Sequence, residues 1–286
     1  MKTERIIKSI ITLFVVAATT INCKAQEIIY EKADSIFIED VLRRHPAEVY
    51  ASTGERIVAL AQEFVGMEYV AGTLDEYENE PLYVSCSRLD CTTFVELVVA
   101  MAVSDTSGFG GVCKRLEQIR YANGVRNGYM SRLHYISQWI ADPAKRGLVE
   151  EVTTVAHTAR QTLNLNFMST HPESYPLLKG CKERIEAVDA LEMPFRGIEV
   201  VYIPKEGICE VSCEDVKEGD IIAIVTAVAG LDVSHVGFAH WRAGVLHMIH
   251  ASSAAGMVVD DSVPLAEYLA KRKNHLGIRV FRVCSL

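Results

Sequence analysis

Beyond its first 25 residues the chain holds no apolar run approaching the roughly 20 residues that span a bilayer, so no permanent membrane helix is expected. It has no run of Lys and Arg, and its formal net charge is -8, which argues against nucleic acid as a partner. No internal repeat, low-complexity tract or Pro/Gly/Ser-rich linker divides it, so one domain is expected. Neither HExxH nor paired CxxC motifs occur, and no metal is expected. What the chain does have is 49% hydrophobic residues, enough for a sizeable core.

The opening "MKTERIIKSIITLFVVAATTINCKAQ" places Lys2, Arg5 and Lys8 before an apolar run from Ile10 to Ile21, with a small residue at Ala25. This is the pattern of a secretory signal, so residues 1–25 are expected to be removed and 26–286 to form a single exported, periplasmic domain. Lipid attachment at Cys23 is the alternative, although Asn22 before it is a poor match. Removing Cys23 leaves seven of the eight cysteines, and an odd count in an exported protein suggests one thiol kept free. Cys86, Cys113, Cys181, Cys209, Cys213 and Cys284 are then available for up to three disulfides or for none.

Ser52-Thr53-Gly54-Glu55 has the capping-box form, and the apolar residues after it predict a helix over 53–65. Further helices are expected over 113–122, over 131–141 with Pro143 closing it, and over 178–191. "LVEEVTTVAH" reads as a strand. From residue 198 onward short strands dominate ("IEVVYI", "DIIAIVTAV", "SHVGFAHW", "VLHMIHA", "GMVVD", "IRVFRV"), with a short helix over 264–272. Helices first and an antiparallel sheet later define an α+β class.

Within "LDCTTFVELVVAMA", Cys91 follows Asp90 and precedes two threonines, residues typical of helix starts, and an apolar periodicity begins at Phe94. Cys91 is therefore expected in the first turn of a buried helix, where free N–H groups and the helix dipole favour a thiolate. A structural or disulfide-bonded cysteine is the alternative from this stretch alone.

A thiolate that cuts an acyl bond needs a base, and four of the nine histidines cluster in "SHVGFAHWRAGVLHMIHASS". His45, His134, His157, His171 and His275 carry no motif and read as surface or packing residues. A hairpin turning at "RAG" makes paired residue numbers sum to about 485–487, so His250 becomes a direct or diagonal neighbour of His235. His247 instead falls opposite residues 238–240, roughly 10–17 Å along the strand from His235 at about 3.4 Å per residue. The candidate set is Cys91 as nucleophile, His235 as base and acid, and His250 as orienting residue. A zinc site is the rival use of these histidines, but alternation puts His247 and His250 on opposite faces.

These motifs resemble the NlpC-type, papain-like cysteine peptidases of bacterial cell wall. "DCTTFVE" is similar to the family's Asp-Cys-Ser/Thr-x-Phe-Val helix start, and "SHVGF" and "IHASS" to its histidine strands. "GMEYVAG" is similar to its Gly-x-x-Tyr-x-x-Gly loop, which makes Tyr69 the implied oxyanion-stabilising residue. Thr92 stands where serine is usual, and fifteen residues separate His235 from His250, more than in the common form. The resemblance implies N-terminal helices packed on a mainly antiparallel sheet or half-barrel. The long insertion, about 104–198, points to the cysteine-type N-acetylmuramoyl-L-alanine amidase-like branch.

That branch implies hydrolysis of the amide between N-acetylmuramic acid and L-Ala, preferentially on 1,6-anhydro muropeptides, through a thioester and without a cofactor. The partner is then a muropeptide or peptidoglycan fragment and the protein a monomer. The insertion is expected to build the sugar pocket, with Asp90 and Ser234 as candidate substrate-binding residues. A γ-D-Glu-diaminopimelate endopeptidase and a non-catalytic cell-wall binding protein are the competing functions.

Overall fold

The computed structural model describes residues 27–104, 107–153, 158–208 and 215–284. The expected signal segment with Cys23, and also His157, Cys209 and Cys213, lie outside the described residues. Strand β1 (Ile28–Ile29) leads into helices α1 (Lys32–Arg44) and α2 (Thr53–Gln62). Short strands β2 (Glu68–Tyr69), β3 (Leu82–Tyr83) and β4 (Arg88–Leu89) then deliver the chain to α3 (Cys91–Ala102). The insertion supplies α4 (Gly108–Arg120), α5 (Ile136–Lys145), β5 (Val149–Glu151), β6 (Ala159–Asn164), α6 (Phe167–Thr170) and α7 (Lys182–Glu192). The remainder is β7 (Arg196–Pro204), β8 (Ile221–Thr226), β9 (Val233–Arg242), β10 (Val245–Ser252), β11 (Met257–Asp260), α8 (Leu265–Ala270) and β12 (His275–Val283).

The main sheet runs β4-β2-β11-β10-β9-β8-β12-β7-β6, with β5 also on β12. Every pairing in it is antiparallel except β2 with β4, and the sheet is open rather than closed. The class is therefore mixed α+β, as the order of elements in the sequence predicts. Among the described residues no helix is long and apolar enough to cross a membrane.

Helix α3 is the centre of the core, because every residue from Thr93 to Ala102 is buried. Phe94 meets Phe64, just beyond α2, and Phe238 on β9 in edge-to-face contacts at 5.9 and 5.6 Å between ring centroids. Each fully buried ring of this kind contributes about 1.5–3 kcal/mol by leaving water. Glu96 and Arg120 form a buried ion pair at 2.7 Å, and Arg120 also donates to the Tyr83 carbonyl, so α3, α4 and β3 are tied together. The position of Cys91 is thus set by a helix that is buried from Thr93 onward.

Several boundaries differ from the sequence reading. Helix α5 starts at residue 136, because a 3₁₀ turn occupies Tyr129–Ser131 and the reciprocal bonds of Tyr135 and Gln138 set the start. Pro143 sits inside its closing turn instead of beyond it. Helix α4 begins earlier, at Gly108, and β6 is a polar edge strand that carried no apolar signal. Cys86, Cys91, Cys113, Cys181 and Cys284 are free thiols.

Candidate active site

Asp90 caps α3. Its Oδ1 accepts from the Thr93 backbone N–H at 2.8 Å and from the Thr93 hydroxyl at 2.9 Å, while Thr93 Oγ1 accepts from the Asp90 N–H at 2.9 Å. Such a cap is worth about 1 kcal/mol, and it places Cys91 at the first helical position with its N–H outside the intrahelical ladder. The thiol faces β9, where the Val236 backbone is near enough to favour the thiolate.

The β9–β10 hairpin has the register the turn predicts, with Val245 opposite Arg242 and His247 opposite His240. His235 Nε2 and His250 Nδ1 are 2.6 Å apart, with ring planes nearly perpendicular. Gly237 makes this possible: a Cβ at that position would lie 2.8 Å from the Cβ of His250. The motif glycine therefore leaves room for the second histidine. Tyr268 of α8 packs against both imidazoles, at 6.5 Å from His235 and 5.5 Å from His250.

The electrostatics depart from the sequence expectation. Burial, and then the Asp90 carboxylate, push the Cys91 thiol up to about 12, outweighing the Val236 and Thr92 contacts that favour the thiolate. Burial and the neighbouring His250 lower His235 to about 3. Both shifts favour the uncharged forms, a thiol on Cys91 and a neutral imidazole on His235, and so oppose the pull of the helix start toward a thiolate. Alkylation of Cys91 by iodoacetamide is expected to accelerate about tenfold per pH unit from pH 7 to 9, followed by peptide mass spectrometry. A rate already level at pH 7 would show a preformed thiolate instead.

Cys91, Asp90, Ser234 and His235 line one cavity of about 240 Å³. Tyr69 and His250 stand outside its lining. Tyr69 packs beside Cys91 in the main core, and burial, followed by the charges of Cys91 and Asp90, raises its hydroxyl to about 12, so it stays a hydrogen-bond donor. Ser234 is exposed and donates to the Ile224 carbonyl at 3.4 Å. The opposite wall comes from the insertion: Tyr129, Arg132, His134, Tyr135, Met168 and Tyr175.

That wall is held by buried charge. Arg132 donates to both Glu80 oxygens, at 2.9 and 2.7 Å, and to Asp75 at 2.7 Å. Glu192, fully buried on α7, accepts from the hydroxyls of Tyr135 and Ser169 and from the Met168 N–H. His134 belongs to the cavity although no motif marks it, and burial with Arg132 nearby lowers it to about 3. His240 pairs with Glu218 and His247 with the Asp261 carbonyl, both away from the thiol. Among the described residues no group of three or more His, Cys, Asp or Glu side chains is gathered as metal ligands.

An open α+β sheet crossed by a cysteine-headed helix, with a paired-histidine hairpin beside the thiol, defines the class, and residues 59–278 match the model of the AmiA-like, N-acetylmuramoyl-L-alanine amidase-like family. The chain belongs to that family. Among solved structures it is similar to an N-acetylmuramoyl-L-alanine amidase from Bacteroides uniformis, at 34% identity over 82% of this chain and 99% of that one, with a TM-score of 0.77. It is also similar to a Bacteroides fragilis protein provisionally called a xylanase, at 42% identity over 79% of this chain and 100% of that one, with a TM-score of 0.74. A Legionella pneumophila protein shares the fold at 24% identity, covering 88% of this chain and 94% of that one, with a TM-score of 0.65. No curated protein sequence matches the chain.

Proposed function

We propose that this protein is an exported, periplasmic cysteine amidase with a papain-like, NlpC-type core, synthesised with a signal peptide over residues 1–25. It hydrolyses the bond between the lactyl carbonyl of N-acetylmuramic acid, in its 1,6-anhydro form, and the nitrogen of L-Ala. The observation that carries this reading is the cavity: Cys91 and His235 share it, and the insertion closes its far side.

In the proposed cycle His235 takes the Cys91 proton as the sulfur attacks the lactyl carbonyl carbon, in keeping with shifts that favour the neutral form of each group. The Cys91 N–H and the Tyr69 hydroxyl stabilise the oxyanion. His235 then protonates the departing L-Ala nitrogen, leaving the muramyl group as a thioester on Cys91. Water, giving its proton to His235, attacks that thioester; the sugar leaves with a free carboxyl group and the thiol is restored. His250 orients His235, while Asp90 and Ser234 border the bound amide. The cycle uses no cofactor.

The name attached to the Bacteroides fragilis relative raises glycoside hydrolysis as a second reading, which needs two carboxyl groups free to face a glycosidic bond. The cavity carboxylates are otherwise engaged: Asp75 by Arg132, Asp90 by Thr93, Glu96 by Arg120, and Asp232 by the N–H groups of Ser137 and Val233. The amidase reading is therefore favoured.

Mass spectrometry of defined muropeptides, anhydro and reduced, after incubation with the protein tests it. Release of the intact disaccharide and a peptide beginning at L-Ala, faster from the anhydro form, is expected. A fragment beginning at diaminopimelate would instead identify a γ-D-Glu-diaminopimelate endopeptidase. No cleavage would favour a non-catalytic cell-wall binding protein.

A further inference from the structure

His250 is fully buried, and among the described residues its Nε2 has no hydrogen-bond partner; the nearest acidic group is Asp261 Oδ2, at 3.5 Å. Asp261 is held by two backbone hydrogen bonds and one to its carboxylate. The Asp261 N–H donates to the Met248 carbonyl at 3.0 Å, its carbonyl accepts from His247 Nδ1 at 3.0 Å, and its Oδ1 accepts from the Val263 N–H at 2.9 Å. Oδ2 is the oxygen left to face His250.

Two proton arrangements are compatible with the 2.6 Å contact between His235 and His250. In one, His250 carries its proton on Nδ1 and donates to His235. Its Nε2 lone pair then opposes the carboxylate, and a neutral His235 must hold its proton on Nδ1. In the other, the His250 proton is on Nε2, where the negative carboxylate attracts it even at 3.5 Å in an enclosed setting. His250 Nδ1 then accepts from His235 Nε2–H, leaving His235 Nδ1 as a bare lone pair. Only the second arrangement provides a base at the nitrogen not taken by His250.

We infer that Asp261 is a positioning residue that fixes the proton positions on both imidazoles and so makes His235 Nδ1 the proton acceptor. The inference rests on the proposed role of His235. It also gives His247 a purpose, as an anchor of the Asp261 backbone.

The test combines ¹⁵N NMR of the histidine rings in the wild-type protein with kinetics of Asp261→Asn on a muropeptide. The expected spectrum shows His250 protonated at Nε2 and unprotonated at Nδ1. Asp261→Asn is expected to lower kcat about 10- to 100-fold with KM within about twofold, less than the roughly 10⁴-fold seen when a carboxylate bonded directly to the base is lost. A wild-type His250 protonated at Nδ1, or a variant kcat within about twofold of wild type, would overturn the inference. The ring spectrum needs no turnover, so it separates failure of this inference from failure of the amidase reading, and it stands even if the variant does not fold.

Discussion

Replacing Cys91 with alanine is expected to reduce muropeptide cleavage by about 10⁵-fold or more while leaving the fold intact. The size follows from the proposed chemistry, because alanine cannot form the thioester and the remaining donors have no covalent intermediate to stabilise. The fold is expected to survive because the helix is held elsewhere. The Asp90 cap, the buried apolar stretch of α3 and the Glu96–Arg120 pair do not involve the sulfur. Turnover measured with intact circular dichroism checks both halves, and cleavage persisting within tenfold would place the chemistry at another residue.

Replacing Glu80 with alanine is expected to destabilise the protein by about 3–5 kcal/mol, the range for breaking a buried ion pair from one side. Glu80 is 3% exposed, binds Arg132 through both oxygens and accepts from the Tyr121 hydroxyl at 3.1 Å. Without it Arg132 is left with Asp75 as its only carboxylate partner among the described residues, in a site where unpaired charge is costly. The melting temperature should fall by roughly 10 °C, since 1 kcal/mol corresponds to about 2–4 °C in a protein near this size. An unchanged melting temperature would mean that the pair contributes nothing and that the insertion wall is held by its apolar contacts alone.

The site was legible in the sequence where local pattern governs it. Helix α3 follows from a capping residue and an apolar period. The neighbourhood of His235 and His250 follows from one turn signal, because the hairpin register leaves little freedom; the observed pairing of His247 with His240 lies within the predicted range.

What the sequence does not disclose depends on the meeting of distant segments. Tyr129, His134, Met168 and Tyr175 become one wall only after α5, α6 and α7 pack, and none of them lies in a motif. Asp261 reads as an ordinary turn residue until β11 pairs with β10 and brings it beneath His250. The balance at Cys91 is of the same kind. The helix start is visible in the sequence, whereas the burial and the orientation of Asp90 that oppose it are tertiary.

The most direct measurement is rapid-quench mass spectrometry of the intact protein during turnover of an anhydro muropeptide. A transient adduct on Cys91 with the mass of the muramyl sugar joined through its lactyl carbonyl is expected, absent from Cys91→Ala. An adduct carrying the L-Ala-γ-D-Glu portion of the peptide, or turnover with no adduct on Cys91, would contradict that expectation.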